Sequence, residues 1–310
     1  MIAFDVALCL VVVAAALCAV AVRDLFASVM FFIVYGVLVA VAWVRLDAVD
    51  VALAEAAIGA GLTGVLLIGA VSRLGAAATP AERPPGGALA QGLRLALCVA
   101  VTAGLAAVVL TLPDSAGLRP LAMAHLPETG VSNPVTAVLL NYRAYDTLLE
   151  TVVLAVALIA VWSLTPDRLW GRAPGLPQRV RPDGVLASFG RVLPPIGLLV
   201  GIYLVWIGSS APGGAFQGGT ILAAVWLLAI MAGLTQPAPV TSAGLRVAVA
   251  AGPVVFLAVG TAGIAFGVFL GIPTAWAKTL ILAIEAFLAA SIAVTLALLV
   301  AGPPRLPAAP

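Results

Sequence analysis

Nine long runs built from Ala, Leu, Val, Ile and Gly occupy most of this sequence, separated by short polar breaks. Each is close to the ~20 residues that cross a bilayer as a helix. The residues are 63% hydrophobic and only 9% charged, whereas a soluble domain carries about 25% charged residues. A surface so poor in charge cannot face water, and lipid is the solvent that suits it. In lipid the backbone must satisfy its own hydrogen bonds, which leaves helices or closed barrels. The runs lack period-2 alternation, which selects helices. The expected fold is an all-α, polytopic transmembrane protein with about nine helices.

The runs cover 3–22, 25–44, 50–71, 93–112, about 134–164, 190–209, 218–234, 245–270 and 276–300. The run at 134–164 starts amphipathic and becomes strongly apolar. Breaks rich in Pro, Gly or Arg at 75–92 and 165–189 divide the chain into three blocks, 1–92, 93–189 and 190–310, with three, two and four helices. No internal repeat links the blocks, which argues against an inverted-repeat transporter. The start, Met1 to Asp5, lacks a basic region and carries an acid, so the first run is read as a retained helix, not a signal peptide. The tail from Ala301 holds four prolines and is expected to be disordered. With the N-terminus outside, loop Arg and Lys divide 11 inside to 4 outside. That bias sets N-outside and C-inside as the expected orientation.

A net charge of +2 gives no footprint for nucleic acid. Cys9, Cys18 and Cys98 sit inside apolar runs, where Cys acts as a small hydrophobe. His125 is the single histidine and is read as a loop residue of no special role. No protein metal site or cofactor is expected.

Ionisable groups inside lipid cost ~2.5–3.5 kcal/mol each, so they mark the places where chemistry is expected. Asp50 opens the third helix and suits a helix cap. Glu55 lies more than a turn further in, with Gly59 leaving a notch beside it; it is either an interfacial acid or a proton or cation carrier. Arg143, Asp146 and Glu150 fall on one helical stripe. They read as a partly neutralised pair with a spare carboxylate at Glu150, or as a structural salt-bridge cluster. Lys278 can snorkel to the interface. Glu285, about 10 Å deeper, must face protein or water, as a relay group or as polar glue. Between the sixth and seventh runs, Pro212, Gly213, Gly214, Ala215, Phe216, Gln217, Gly218 and Gly219 hold more glycine than a turn needs. Irregular backbone at membrane depth is tolerated only when packed in protein or lining a wet cavity. This loop is therefore read as a packed one that contacts a neighbouring subunit. Gly263, Gly267 and Gly271 form a small-residue stripe expected to pack helices closely.

These motifs, in this order, resemble a known set of families. Asp50-Val-Ala-Leu-Ala-Glu55-Ala-Ala-Ile-Gly59 resembles the D-type component of membrane-bound hydrogenases, also found in the C-terminal region of the large A-type component of Mrp antiporters. Asn133-Pro134 through Glu150 resembles the E-type component that follows it. Ala211-Pro212 through Gly219 is similar to the signature loop of the B-type component of Mrp antiporters. Val49, Ala54 and Ala215 depart from the usual family residues. The resemblance implies a D–E–B fusion that serves as an accessory subunit of a multi-subunit Na⁺/H⁺ antiporter in the prokaryotic cell (inner) membrane. It is then a transporter subunit and not an enzyme. Its partners would be large antiporter-like subunits, small complex I-like membrane subunits and lipid, and its cargo Na⁺ and H⁺. Glu55, Asp146, Glu150 and Glu285 would carry ions, with Arg143 and Lys278 tuning them. The alternative is a structural membrane-arm subunit of a complex I-related redox-driven pump such as a membrane-bound hydrogenase.

Overall fold

Apolar runs of this length satisfy their backbone polar groups internally, and the computed structural model resolves each of them as helix. It describes residues 2–74, 87–113, 117–175 and 184–304. The expected disordered tail lies for the most part outside the described residues. Helices α1 (Ile2–Ala21) and α2 (Leu25–Arg45) form a hairpin. Asp24 caps α2 by accepting the Ala27 N–H at 2.7 Å, and Arg45 pairs with Asp5 at 2.7 Å across the hairpin. α3 (Val49–Ala54) continues through a π-helical stretch, Glu55–Leu62, into α4 (Thr63–Leu74). α5 (Ala88–Thr111) starts inside the stretch that the sequence marks as a break. The short α6 (Arg119–Ala124) and α7 (Pro134–Ala137) precede a π-helical turn, Val138–Tyr142, and α8 (Ala144–Ser163). α9 (Val185–Ile207), α10 (Ala215–Met231), α11 (Ala243–Ala262) and α12 (Ala277–Ala301) complete the chain.

Among the described residues, eight helical stretches are long and apolar enough to cross a membrane, and α10 adds a shorter apolar helix of 17 residues. The nine runs read from sequence are all present, but two differ in form. The run at 134–164 is broken at Arg143, whose φ of −131° ends the π turn before α8 begins. Asn133 and Pro134 start α7, and the π turn absorbs the extra residue between it and α8. Thr147 Oγ1 donates to the Leu139 carbonyl of that turn at 2.8 Å. The run at 245–270 ends as an α-helix at Ala262, passes through a 3₁₀ turn, Gly263–Phe266, and stops at Gly267, which has φ +102°. Left-handed glycine is the ordinary helix terminator. The expected stripe Gly263, Gly267 and Gly271 is therefore not a helix face. Gly271 turns back so that a Cβ on Gly263 would meet its carbonyl oxygen at 2.6 Å.

α12 is the centre of the bundle and the most buried of the spanning helices, whereas α5 buries none of its residues. Its Ile281, Ile284, Leu288 and Ile292 meet Phe256 of α11, Ala223 of α10, and Ala137, Leu140 and Leu148 of α7, its π turn and α8. Leu62, at the end of the first π stretch, packs against the same cluster. Residues from all three sequence blocks thus share one core. Helices in lipid gain little from hydrophobic burial alone, so close packing and buried hydrogen bonds hold them. Ser291 Oγ donates to the Val249 carbonyl at 2.5 Å, joining α12 to α11. Gly252 permits the approach, since a Cβ there would lie 2.8 Å from that of Ser291.

Phe256→Ala is expected to lower the thermal midpoint of the detergent-solubilised protein, with a loss of roughly 2 kcal/mol from the cavity it opens, at about 24 cal/mol per Å³. Val247→Ala, at a position 66% exposed, is expected to leave the midpoint unchanged. Equal midpoints for the two variants would contradict the packing described.

Candidate ion pathway at the double-glycine loop

The loop between α9 and α10 is where irregular backbone enters the bundle. The last turn of α9 offers carbonyls with no partner in the helix. Ile207 O accepts the N–H groups of Ser210 and Ala211 at 2.8 and 2.9 Å, and Leu204 O accepts that of Gly214 at 2.9 Å. Gly213 and Gly214 hold φ values of +155° and +122°. A Cβ on Gly213 would strike Leu204 O at 2.5 Å, and one on Gly214 would stand 3.0 Å from Oε1 of Glu285. The first glycine allows the turn and the second leaves room for a carboxylate.

Two distant parts of the chain clamp this loop. Asn133 Nδ2 donates to the carbonyls of Gly208 and Ala211, each at 3.0 Å, while its Oδ1 caps α7 through Val135 N–H at 2.9 Å. Thr136 Oγ1 donates to the same Gly208 carbonyl at 2.6 Å. Ser209 O accepts the N–H groups of Ser132 and Asn133. From the other side, Asp50 Oδ1 accepts Gly213 N–H at 2.9 Å, and Gln217 Nε2 donates to the Asp50 carbonyl at 3.2 Å. The expected helix-cap role of Asp50 is not what its side chain does in the structure. No side-chain hydrogen bond caps α3, because the carboxylate reaches the loop instead.

Glu285 of α12 faces the same loop. It is 4% exposed, and its Oε2 has no hydrogen-bond partner among the described residues. The Ala215 amide at the start of α10 lies against its carboxyl, and Asp50 is within electrostatic range. A cavity of about 30 Å³ is lined by Glu285, Gln217, Gly214, Thr136 and Thr147 among others. One water requires about 10–15 Å³ of such space. A second cavity, of about 680 Å³, opens at the surface and is lined by Asp50, Arg119, Asn133, Tyr142 and Pro212 among others. Leu139 borders both cavities.

Of the remaining residues singled out from sequence, Phe216 also lines the small cavity, and the others do not converge here. Glu55 is half-buried in the first π stretch, and its carboxyl folds back over Gly59, occupying the notch that a Cβ would fill. Arg143 pairs with Asp146 at 2.5 Å, with both side chains largely exposed. Glu150 is on the exposed face of α8, and Lys278 is exposed in the first turn of α12. Phe216 packs against the core, and Gly218 and Gly219 let α10 approach Gly201 of α9 and Ile292 of α12. His125 contacts Glu128 at 3.2 Å on the surface. Sequence reasoning misses Asn133, Thr136 and Thr147 as site residues. The Asn-Pro pair at a helix start is the available signal for the first; the hydroxyls carry none.

Spanning helices packed around a polar, internally clamped loop define a polytopic membrane protein with a buried carboxylate site. Three families match it in order. MbhD, the D subunit of MBH, matches residues 10–76, and MbhE, the E subunit of MBH, matches 90–170. A domain related to the MnhB subunit of Na⁺/H⁺ antiporter matches 185–302. The chain is a fusion of an MnhB-related domain with MbhD-like and MbhE-like domains. It is 32% identical over 152 residues to an uncharacterized protein of Methanocaldococcus jannaschii, covering 44% of this chain and 58% of that one. Among solved structures, it is similar to a chain of the Mrp complex from Dietzia sp. DQ12-45-1b, with a TM-score of 0.74 and 25% identity over 98% of this chain and 35% of that chain. It also resembles a chain of the membrane-bound sulfane sulfur reductase (MBS), an archaeal respiratory membrane complex. There the TM-score is 0.56 at 25% identity, covering 67% of this chain and 95% of the other. The chain spans little more than half of the Methanocaldococcus relative and about a third of the Dietzia chain.

Asn133→Ala leaves the Gly208 carbonyl with Thr136 alone, takes the side-chain donor from the part-buried Ala211 carbonyl and strips the cap from α7, a loss of about 1–3 kcal/mol in all. Asn133→Asp turns an acceptor toward both carbonyls and is expected to be worse. Thermal midpoints in detergent should fall in the order wild type, Ala, Asp. An Asp variant as stable as wild type would contradict the clamp.

Proposed function

We propose that this chain is an accessory membrane subunit of a multi-subunit Na⁺(cation)/H⁺ antiporter of Mrp type, acting in ion movement and not as an enzyme. The observation that carries the reading is Glu285: a carboxyl group 4% exposed, one oxygen unpartnered among the described residues, facing a cavity large enough for water. Burying such a group is costly and serves proton or ion transfer better than it serves stability. Water at Glu285 gives its proton a donor and acceptor, and the Ala215 amide offers the carboxylate a positive helix end.

The outward carboxylates support partners. Glu150 stands exposed on a spanning helix, where lipid would penalise it. Contact with other subunits of an antiporter, large and small, relieves that cost. Glu55, Asp146 and Glu150 then belong to ion transfer at the boundaries between subunits, with Arg143 and Lys278 setting the local field. The assembly resides in a prokaryotic inner membrane, with the N-terminus outside and the C-terminus inside.

A second reading is a membrane-arm subunit of a redox-driven pump. The matches to MbhD and MbhE and the likeness to a chain of the sulfane sulfur reductase favour it.

Vesicles carrying the assembled complex, driven by an imposed ion gradient without any reductant, test the first reading. Glu285→Gln keeps the size and is expected to slow cation/proton exchange by at least about tenfold, as loss of a proton-transferring group does, while the subunits still co-purify. Glu150→Gln is expected to slow it as well. Exchange at the wild-type rate in Glu285→Gln vesicles would overturn the assignment.

A further inference from the structure

We infer that the surface cavity beside Asp50 is the aqueous mouth of Glu285, joined to it through the water-sized chamber under Gly213 and Gly214. This rests on the reading that Glu285 exchanges a proton, and adds the side from which that proton arrives and the groups that line its way.

The two cavities share a wall. Asp50 and Pro212 belong to the surface cavity, and Gly213, Gly214 and Gln217 to the chamber. Asp50 bridges the wall, since its Oδ1 holds Gly213 N–H and its carbonyl holds Gln217 Nε2. With its amide nitrogen engaged there, Gln217 turns Oε1 toward Gly214, 3.5 Å from where a Cβ would stand; Oε1 of Glu285 is 3.0 Å from that same point. Both are acceptors, so a water placed between them would donate to each. Thr136 and Thr147 also line the chamber; their hydroxyl protons go to the Gly208 and Leu139 carbonyls, so toward a water they can only accept. Glu285 Oε2, buried and without a partner among the described residues, completes a set of polar atoms of the kind that holds an internal water.

Mouth and chamber are neighbours, since Leu139 lines both and Pro212 and Gly213 line one each. The wall between them consists of the Gly213 peptide, the Asp50 carboxylate and Leu139. The Gly213 amide needs an acceptor when buried, and Asp50 is the one it has. A water that replaces Asp50 on that amide connects the two spaces without moving a helix. The Asp50 charge also draws cations and hydronium to the mouth.

Val135 lies on the wall of the surface cavity and outside the loop and its polar partners at Glu285. Val135→Cys, in a chain with Cys9, Cys18 and Cys98 changed to Ala, is incorporated into the assembled complex in vesicles. A positively charged, water-soluble methanethiosulfonate is added to one face at a time. Labelling is expected to slow exchange by about tenfold, the scale on which a charge at a focusing mouth alters ion capture, and from one face alone. Val247→Cys, on the outer surface of α11, is expected to give no change. If Val135→Cys does not assemble, Met123→Cys on the same cavity takes its part. Complete labelling, verified by mass, with exchange at the unlabelled rate overturns the route. If Glu285→Gln blocks exchange in that case, the proton role of Glu285 survives and the mouth lies elsewhere. If neither change has an effect, both fail.

Discussion

Seven residues of irregular backbone, 208–214, separate α9 from α10, and lipid cannot satisfy their amides and carbonyls. The carbonyl of Gly208 is the centre of the solution. It accepts from both Asn133 and Thr136, so one backbone oxygen draws the start of α7 onto the end of α9. Asp50 does the same from the opposite side through Gly213. Segments similar to three separate families are tied together at this point.

The same constraint makes the site. A loop threaded between helices keeps two consecutive glycines at positive φ, and bare glycine leaves space that α12 fills with a carboxylate. Glu285 therefore owes its environment to a turn about seventy residues earlier in the chain. In the transport role proposed for this chain, a buried carboxyl that can pick up and release a proton is useful. The small cavity beside it has room for a water.

Much of this was legible in the residues. Charge-poor runs pointed to the membrane and the helices, and the glycine density from Pro212 to Gly219 marked close packing; the loop expected to meet a neighbouring subunit is clamped by Asn133 and Asp50 of the same chain, and from Ala215 on it is helix. Glu285 stood out because an acid in the middle of an apolar run must face protein or water, as a relay group or as polar glue. Other features were hidden. Helical spacing puts Asp146 and Glu150 on one stripe of α8, and Arg143, the residue before that helix, still reaches Asp146, but the break ahead of them was not legible. The π turn that ends at Arg143 depends on Thr147 and the packing of Leu140, which no local pattern reveals. The glycine stripe failed for a related reason: a glycine that suits close packing also suits termination, and at Gly267 the chain terminates. Asp50 had a good local use as a cap, and a partner 163 residues away displaced it.

The outward-facing polar groups and the poorly buried helices α1 and α5 make the identity of the neighbours the central question. Gentle purification of the tagged chain from its native membrane, followed by mass spectrometry of the proteins that accompany it, answers it most directly. The account predicts large antiporter-like subunits and small membrane subunits without redox proteins. Stoichiometric recovery of iron–sulfur or other redox proteins would contradict it and make the chain part of a redox-driven pump.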